Sequence, residues 1–306
     1  MAWLLLAFMS AALLGCYDSF KKQALKDNAV IPVLFLNTLF SSLIFLPFII
    51  VSASTDVLDG SIFKVAAGGW EVHRYVLLKA LIVLSSWVLG YFGMKHLPLT
   101  IVGPINATRP VMVLVGALLV FGERLNVWQW VGVLLAILSF LMLSRSGKKE
   151  GIDFRRDHWI WMIVGAAVFG AISGLYDKFL MAPVESGGVG LDRMLVQSWY
   201  NIYQCGMMLA MLLLLWWPKH KETTPFHWHW SIIGVSLFLS TADFVYFYSL
   251  SMPDAMISIV SMIRRGSVIV SFLFGAAFFH EKNLKAKAFD LALVLLGMIF
   301  LYIGSR

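Results

Sequence analysis

Two adjacent arginines, Arg264 and Arg265, stand inside the apolar stretch Ser258 to Phe279, which is long enough to cross a bilayer. An arginine at the centre of a membrane helix costs about 2.5–3.5 kcal/mol on insertion scales, and an adjacent pair about twice that. Such groups persist when they face a polar interior, where their forked donors match the two oxygens of a carboxylate or phosphate. A third arginine lies mid-run in Ile105-Asn106-Ala107-Thr108-Arg109-Pro110. There Pro110 removes a backbone hydrogen bond, and the freed carbonyl is tolerated where it lines a cavity. Asp243 is the acid deepest in an apolar run, and it shares a helical face with Ser236 and Ser240 at spacings of three and four. We expect it either to neutralise an arginine, in a fixed salt bridge or only in the empty site, or to take a proton during transport. Gln197, Asn201 and Gln204 form a polar stripe that should face inward, for interhelical hydrogen bonds or substrate contact, with Asn37 and Thr38 as a weaker counterpart. Tyr246 and Asn106 complete the candidate substrate-binding set. Asp18 and Asp177, near run ends beside Lys21 and Lys178, are expected to cap or pair at the interface.

The elements that must position these groups are membrane helices. The chain is 60% hydrophobic and 13% charged, with a mean hydropathy of +0.82, unlike a soluble domain of about 25% charged residues. Its net charge of +7 lies mainly in short connections, a membrane-anchoring pattern that excludes nucleic acid as the expected partner. Cys16 and Cys205 sit in apolar runs and form no disulfide framework. Leu13-Leu14-Gly15-Cys16 has the form of a lipoprotein cleavage site, but no lysine or arginine precedes it, so no signal peptide is expected. His227-Trp228-His229-Trp230 reads as an aromatic belt rather than a metal site.

Apolar runs near the ~20 residues a membrane helix needs number ten, from Trp3–Phe20 to Ala288–Gly304. In lipid the backbone must satisfy its own hydrogen bonds, so the predicted fold is all-α, an integral membrane protein of ten transmembrane helices. The charged hinge 147–157 separates a first five-helix repeat, 1–146, from a second, 158–306. Gly15-Cys16-Tyr17-Asp18-Ser19-Phe20 matches Gly174-Leu175-Tyr176-Asp177-Lys178-Phe179, and Tyr91-Phe92 with Pro98 matches Tyr246-Phe247 with Pro253. The second offset also pairs Arg109 with Arg264. Five is odd, so the copies insert in opposite orientations, as in secondary transporters with a midplane site. Connections after odd-numbered runs hold 14 lysines and arginines against 6 on the other side, which puts the hinge in the cytoplasm and both termini outside.

This arrangement, with Gly122-Glu123-Arg124-Leu125 closing helix four, resembles the drug/metabolite transporter superfamily and its ten-helix EamA-type members. In the second half His280-Glu281-Lys282 stands where Gly-Glu-Arg is expected. Helix nine, Ile263-Arg264-Arg265-Gly266-Ser267-Val268-Ile269-Val270-Ser271, is similar to that of the plastid phosphate translocators, where a Lys-Arg pair binds the phosphate of sugar phosphates. That resemblance implies phosphate recognition by Arg264 and Arg265.

The expected function is secondary active transport of a small organic anion, phosphorylated or carboxylated, by alternating access, as an antiporter or driven by protons. The alternative cargo is an amino-acid-like or amphipathic metabolite; the rival class is a membrane-embedded enzyme acting on lipid-linked substrates. With no phosphate loop, nucleophile elbow or zinc-hydrolase pair, we expect no enzyme, no ATP drive, no metal and no cofactor. The expected partners are the substrate and membrane lipids, for a monomer in a bacterial inner membrane.

Overall fold

The computed structural model describes residues 2–109, 111–113, 126–148, 156–181, 184–250, 260, 263–264, 266–278 and 284–304. Among them ten α-helices follow in order: α1 Ala2–Leu25, α2 Val30–Ser54, α3 Trp70–His96, α4 Leu99–Ala107, α5 Val127–Lys148, α6 His158–Met181, α7 Arg193–Met211, α8 Ser231–Leu250, α9 Ser267–Phe278 and α10 Leu284–Gly304. The described residues contain no strand. Six helices, α1, α2, α3, α6, α7 and α8, are long and apolar enough to span a bilayer. The protein is an all-α integral membrane protein of two inverted five-helix repeats.

Packing runs mainly between the halves. Helix α1 lies along α8 and α3 along α6, while α2 meets α7, α4 meets α9 and α5 meets α10. Exchanging each helix for its counterpart five later turns α1–α8 into α6–α3 and leaves the other three pairs unchanged. Such invariance is what a pseudo-two-fold axis in the membrane plane requires. Helices α1 and α8 run antiparallel: Ser10 donates to Ala242 O at 2.7 Å and, toward the other end, Ser249 donates to Trp3 O at 2.7 Å.

Two apolar clusters bracket the middle of the bundle. One gathers Leu25, Met94, Ile160 and Ile232 near the hinge face; the other gathers Val76, Leu180, Met194 and Phe247 near the opposite, terminal face. The polar stripe of α7 lies between α2 and α8 in a ladder of buried bonds. Gln197 Nε2 donates to Ser240 O at 3.3 Å, Ser42 Oγ to Asn201 O at 2.8 Å, and Ser236 Oγ to Asn37 O at 3.2 Å.

Neither arginine-bearing helix of the sequence reading is continuous. Helix α4 ends at Ala107; Thr108 forms a turn in which its amide and hydroxyl both reach Ile105 O, at 3.2 and 2.6 Å, and helical backbone resumes at Arg109. In the second half the helix carrying Ile263 and Arg264 turns at Gly266, whose amide reaches Ile263 O at 2.8 Å, and resumes at Ser267. A Cβ on Gly266 would come within 2.9 Å of Ile263 O, so the turn requires glycine. Broken helices at matching positions of two repeats are where transporters place their sites.

Close approach of α1 to α9 depends on Gly15, where an added Cβ would strike Val270 and come within 2.9 Å of Ser267 O. Gly15→Ala is expected to destabilise the detergent-solubilised protein by about 1–3 kcal/mol, the usual cost of overpacking. Thermal melting checks this; an unchanged midpoint contradicts the packing.

Candidate functional site

Between the two apolar clusters runs a seam of buried charge. Asp243, in the middle of α8, forms an ion pair with Arg264, their side chains 11% and 14% exposed. Its other oxygen accepts a hydrogen bond from Tyr200 Oη of α7 at 2.9 Å. The Arg264 guanidinium also lies over the Tyr246 ring, 4.2 Å from its centroid. Each charge therefore has a counter-charge or an aromatic face, which a low-dielectric interior demands. Asp243 is thus a salt-bridge partner of Arg264, with Tyr200 as a second donor.

Toward the terminal face, Lys79 of α3 forms an ion pair with Asp177 of α6, side chains 3% and 13% exposed. The Lys79 ammonium stands 5.2 Å from the Tyr200 ring centroid and 5.8 Å from that of Phe247. Tyr200 thus gives its hydroxyl to one ion pair and its ring to the other. Toward the hinge face, Asp18 pairs with Lys21 at 3.1 Å and accepts from Ser271 Oγ at 3.2 Å. Lys21 in turn lies 4.4 and 5.1 Å from the ring centroids of Tyr17 and Tyr91.

Asp18 pairs with the neighbouring Lys21, as its spacing suggested, but inside the bundle rather than at the interface, and Asp177 is likewise interior and pairs with Lys79 on another helix. Lys79, one of the six cations on the less basic side in the lysine and arginine count, is inside α3 and neutralised, so it says nothing about orientation.

Arg109 differs from every other cation of the seam. Its Nη2 reaches Ala166 O at 3.4 Å and its Nε, like that of Arg264, is buried without a partner, but among the described residues no carboxylate forms an ion pair with it. Asp18 attracts it electrostatically and Arg264 repels it. The guanidinium lies flat against Gly170 of α6, where an added Cβ would sit 2.7 Å from Cζ.

The remaining candidates divide. Tyr246 joins Arg264, whereas Gln197 and Asn201 serve the α2–α7–α8 ladder, Asn201 Nδ2 donating to Gln197 O at 2.8 Å. Gln204 and Asn37 are fully buried with both amide atoms unpartnered, and Asn106 Oδ1 is likewise buried and unpartnered. Arg265 lies outside the described residues. Sequence reasoning missed Lys79 and Tyr200; the available signal was a lysine within a predicted span. His227 and His229 line a cleft of about 520 Å³ at the hinge face with Gln23, Lys26 and Asp27. No group of three metal-ligating side chains occurs among the described residues.

An inverted repeat with broken helices around a buried charged seam is an arrangement that recurs in membrane transporters. Residues 1–145 match the family model described as the EamA-like transporter family, so the chain carries an EamA domain and is a membrane transporter of small molecules. No curated protein matches the sequence significantly. One solved crystal structure aligns over 100% of this chain and 98% of its own, with a TM-score of 0.66 and 12% identity, a likeness of fold alone.

The pair Arg264–Asp243 supplies a test of mutual neutralisation. Asp243→Asn leaves a buried unpaired arginine and is expected to lower stability by about 3–5 kcal/mol, while Arg264→Met combined with Asp243→Asn recovers most of it. Thermal melts of the two singles and the double check this; additive losses contradict it.

Proposed function

We propose that the transporter carries a small organic anion, a carboxylate or phosphorylated metabolite, between its two halves. The observation that supports this reading is Arg109: an intramembrane guanidinium beside Arg264 with which no carboxylate forms an ion pair among the described residues. The described seam holds four cations, Lys21, Lys79, Arg109 and Arg264, against three acids, Asp18, Asp177 and Asp243. The excess of one positive charge suits one anionic group, and Arg265, next in sequence, adds another cation.

The anion's oxygens take the Arg109 fork first, because it is open, and the nearby Arg264 turns to them as Asp243 gives way. Recognition by arginines at two helix breaks is in keeping with the likeness of Ile263–Ser271 to the phosphate translocators. The repeats then rock about the seam, exposing it to each side in turn. The lysine and arginine excess puts the hinge face in the cytoplasm and the termini outside, and omitting buried Lys79 and Lys21 leaves that imbalance in place.

The test is a thermal-shift screen of phosphorylated and carboxylated metabolites, followed by exchange in proteoliposomes. A specific binder raises the melting temperature by mass action. Arg109→Ala is expected to weaken binding roughly 10- to 100-fold, the worth of charged hydrogen bonds of about 1.5–3 kcal/mol, and Arg109→Lys to recover part of it. Stabilisation by neutral amphipathic compounds but not by anions overturns the anion reading. Turnover without vectorial movement overturns transport of the compound tested.

A further inference from the structure

We propose that Asp177 is the site at which a proton is coupled to the anion, with Lys79 and Tyr200 passing the change of charge to Asp243. The inference rests on the reading of Arg109 and Arg264 as the anion site. Two ion pairs share one tyrosine: the Tyr200 hydroxyl donates to Asp243 at 2.9 Å and its ring faces the Lys79 ammonium at 5.2 Å. Lys79 is therefore held between two carboxylates, Asp177 in direct contact and Asp243 on the far side of one phenol ring.

The two acids are not equivalent. Asp243 is held by two donors, Arg264 and Tyr200, whereas Lys79 is the one donor to Asp177 among the described residues. Asp177 also lies four residues from the terminal-face end of α6, nearer water than Asp243, which is mid-helix. The charged and titratable groups around it are Lys79 from α3, Tyr200 from α7, Asp243 from α8 and Arg264, with Arg109 two helical turns away at Gly170.

Charge balance sets the sequence of events. A proton from water on the terminal side bonds to one Asp177 oxygen, and the Lys79 ammonium loses its counter-charge. An uncompensated ammonium in a low-dielectric interior is costly, so Lys79 turns past the Tyr200 ring toward Asp243. Asp243 then loosens from Arg264, whose guanidinium joins Arg109 in holding the anion. One positive charge enters with one negative charge. When the anion leaves on the other side, Asp243 returns to Arg264, Lys79 returns to Asp177, and the proton goes to water there. Linkage is reciprocal, so protonation must tighten anion binding by the same factor by which the anion favours protonation.

The experiment follows 3-phosphoglycerate, a probe bearing a phosphate and a carboxylate, in proteoliposomes across a range of pH, with an interior pH dye. For the unaltered protein the apparent KM is expected to fall as pH falls, by up to about tenfold per pH unit for one linked proton, and a pH gradient should drive accumulation. Asp177→Asn mimics the protonated carboxyl: exchange persists with a KM independent of pH, and neither accumulation nor proton flux follows the gradient. Lys79→Met combined with Asp177→Asn removes the pair as a unit, without a stranded charge should the single variant fail to fold. It should retain exchange at a weakened, pH-independent KM. Gradient-driven accumulation surviving in either variant overturns the inference, as does loss of exchange from a folded double variant. pH-independent exchange by the unaltered protein overturns the coupling and leaves the anion reading standing. No exchange by the unaltered protein at any pH overturns the anion reading and the inference with it.

Discussion

A charge in the middle of a membrane protein must be neutralised or face something it can bind, because the effective cost of burying an ion is several kcal/mol even after relaxation. Here that constraint settles on the Arg264–Asp243 pair and on Tyr200, which touches it with a hydroxyl and touches Lys79–Asp177 with a ring. Without the tyrosine the two pairs would be separate contacts between helices. With it they form a continuous electrostatic path from near the terminal face to the centre. Arg109 stands at the end of that path with no ion-pair partner among the described residues, and the functional reading depends on it.

The inverted duplication explains why charges recur where they do. Asp18 and Asp177 are the same residue of the repeat, and inversion carries one toward the hinge face and the other toward the terminal face. Their partners differ: Lys21 is three residues away on the same helix, whereas Lys79 reaches across from α3. A bond within one helix survives relative movement of the halves, and a bond between halves responds to it. Arg109 and Arg264 diverge in the same manner, one open and one paired. The repeat places these charges at matching positions, and their partners differ between the two copies.

Much of this was legible from the residues in order. Ten apolar runs and the inverted repeat follow from hydropathy and from parity, and a helix is observed in each run, although the two arginine-bearing runs are interrupted at Thr108 and Gly266. The inward face of Gln197, Asn201 and Gln204 follows from spacing, and all three are buried. Lys79 was not legible, because a lysine nine residues into a span reads equally as a displaced boundary. Tyr200 was one of several aromatics alongside a polar stripe, and spacing along α7 does not say that an aspartate of α8 meets it.

The sequence by itself determined the membrane class, the five-plus-five division and the presence of arginines where lipid forbids them, since these depend on composition and periodicity along one chain. Tertiary structure decided which charge answers which. Asp243 sits with Arg264, Asp177 crosses to Lys79, and among the described residues no acid forms an ion pair with Arg109. Ion pairing falls off over a few ångströms, and distances between helices appear only when the two halves are packed together. Arg264 is neutralised by Asp243, whereas its counterpart in the other repeat, Arg109, forms no ion pair among the described residues.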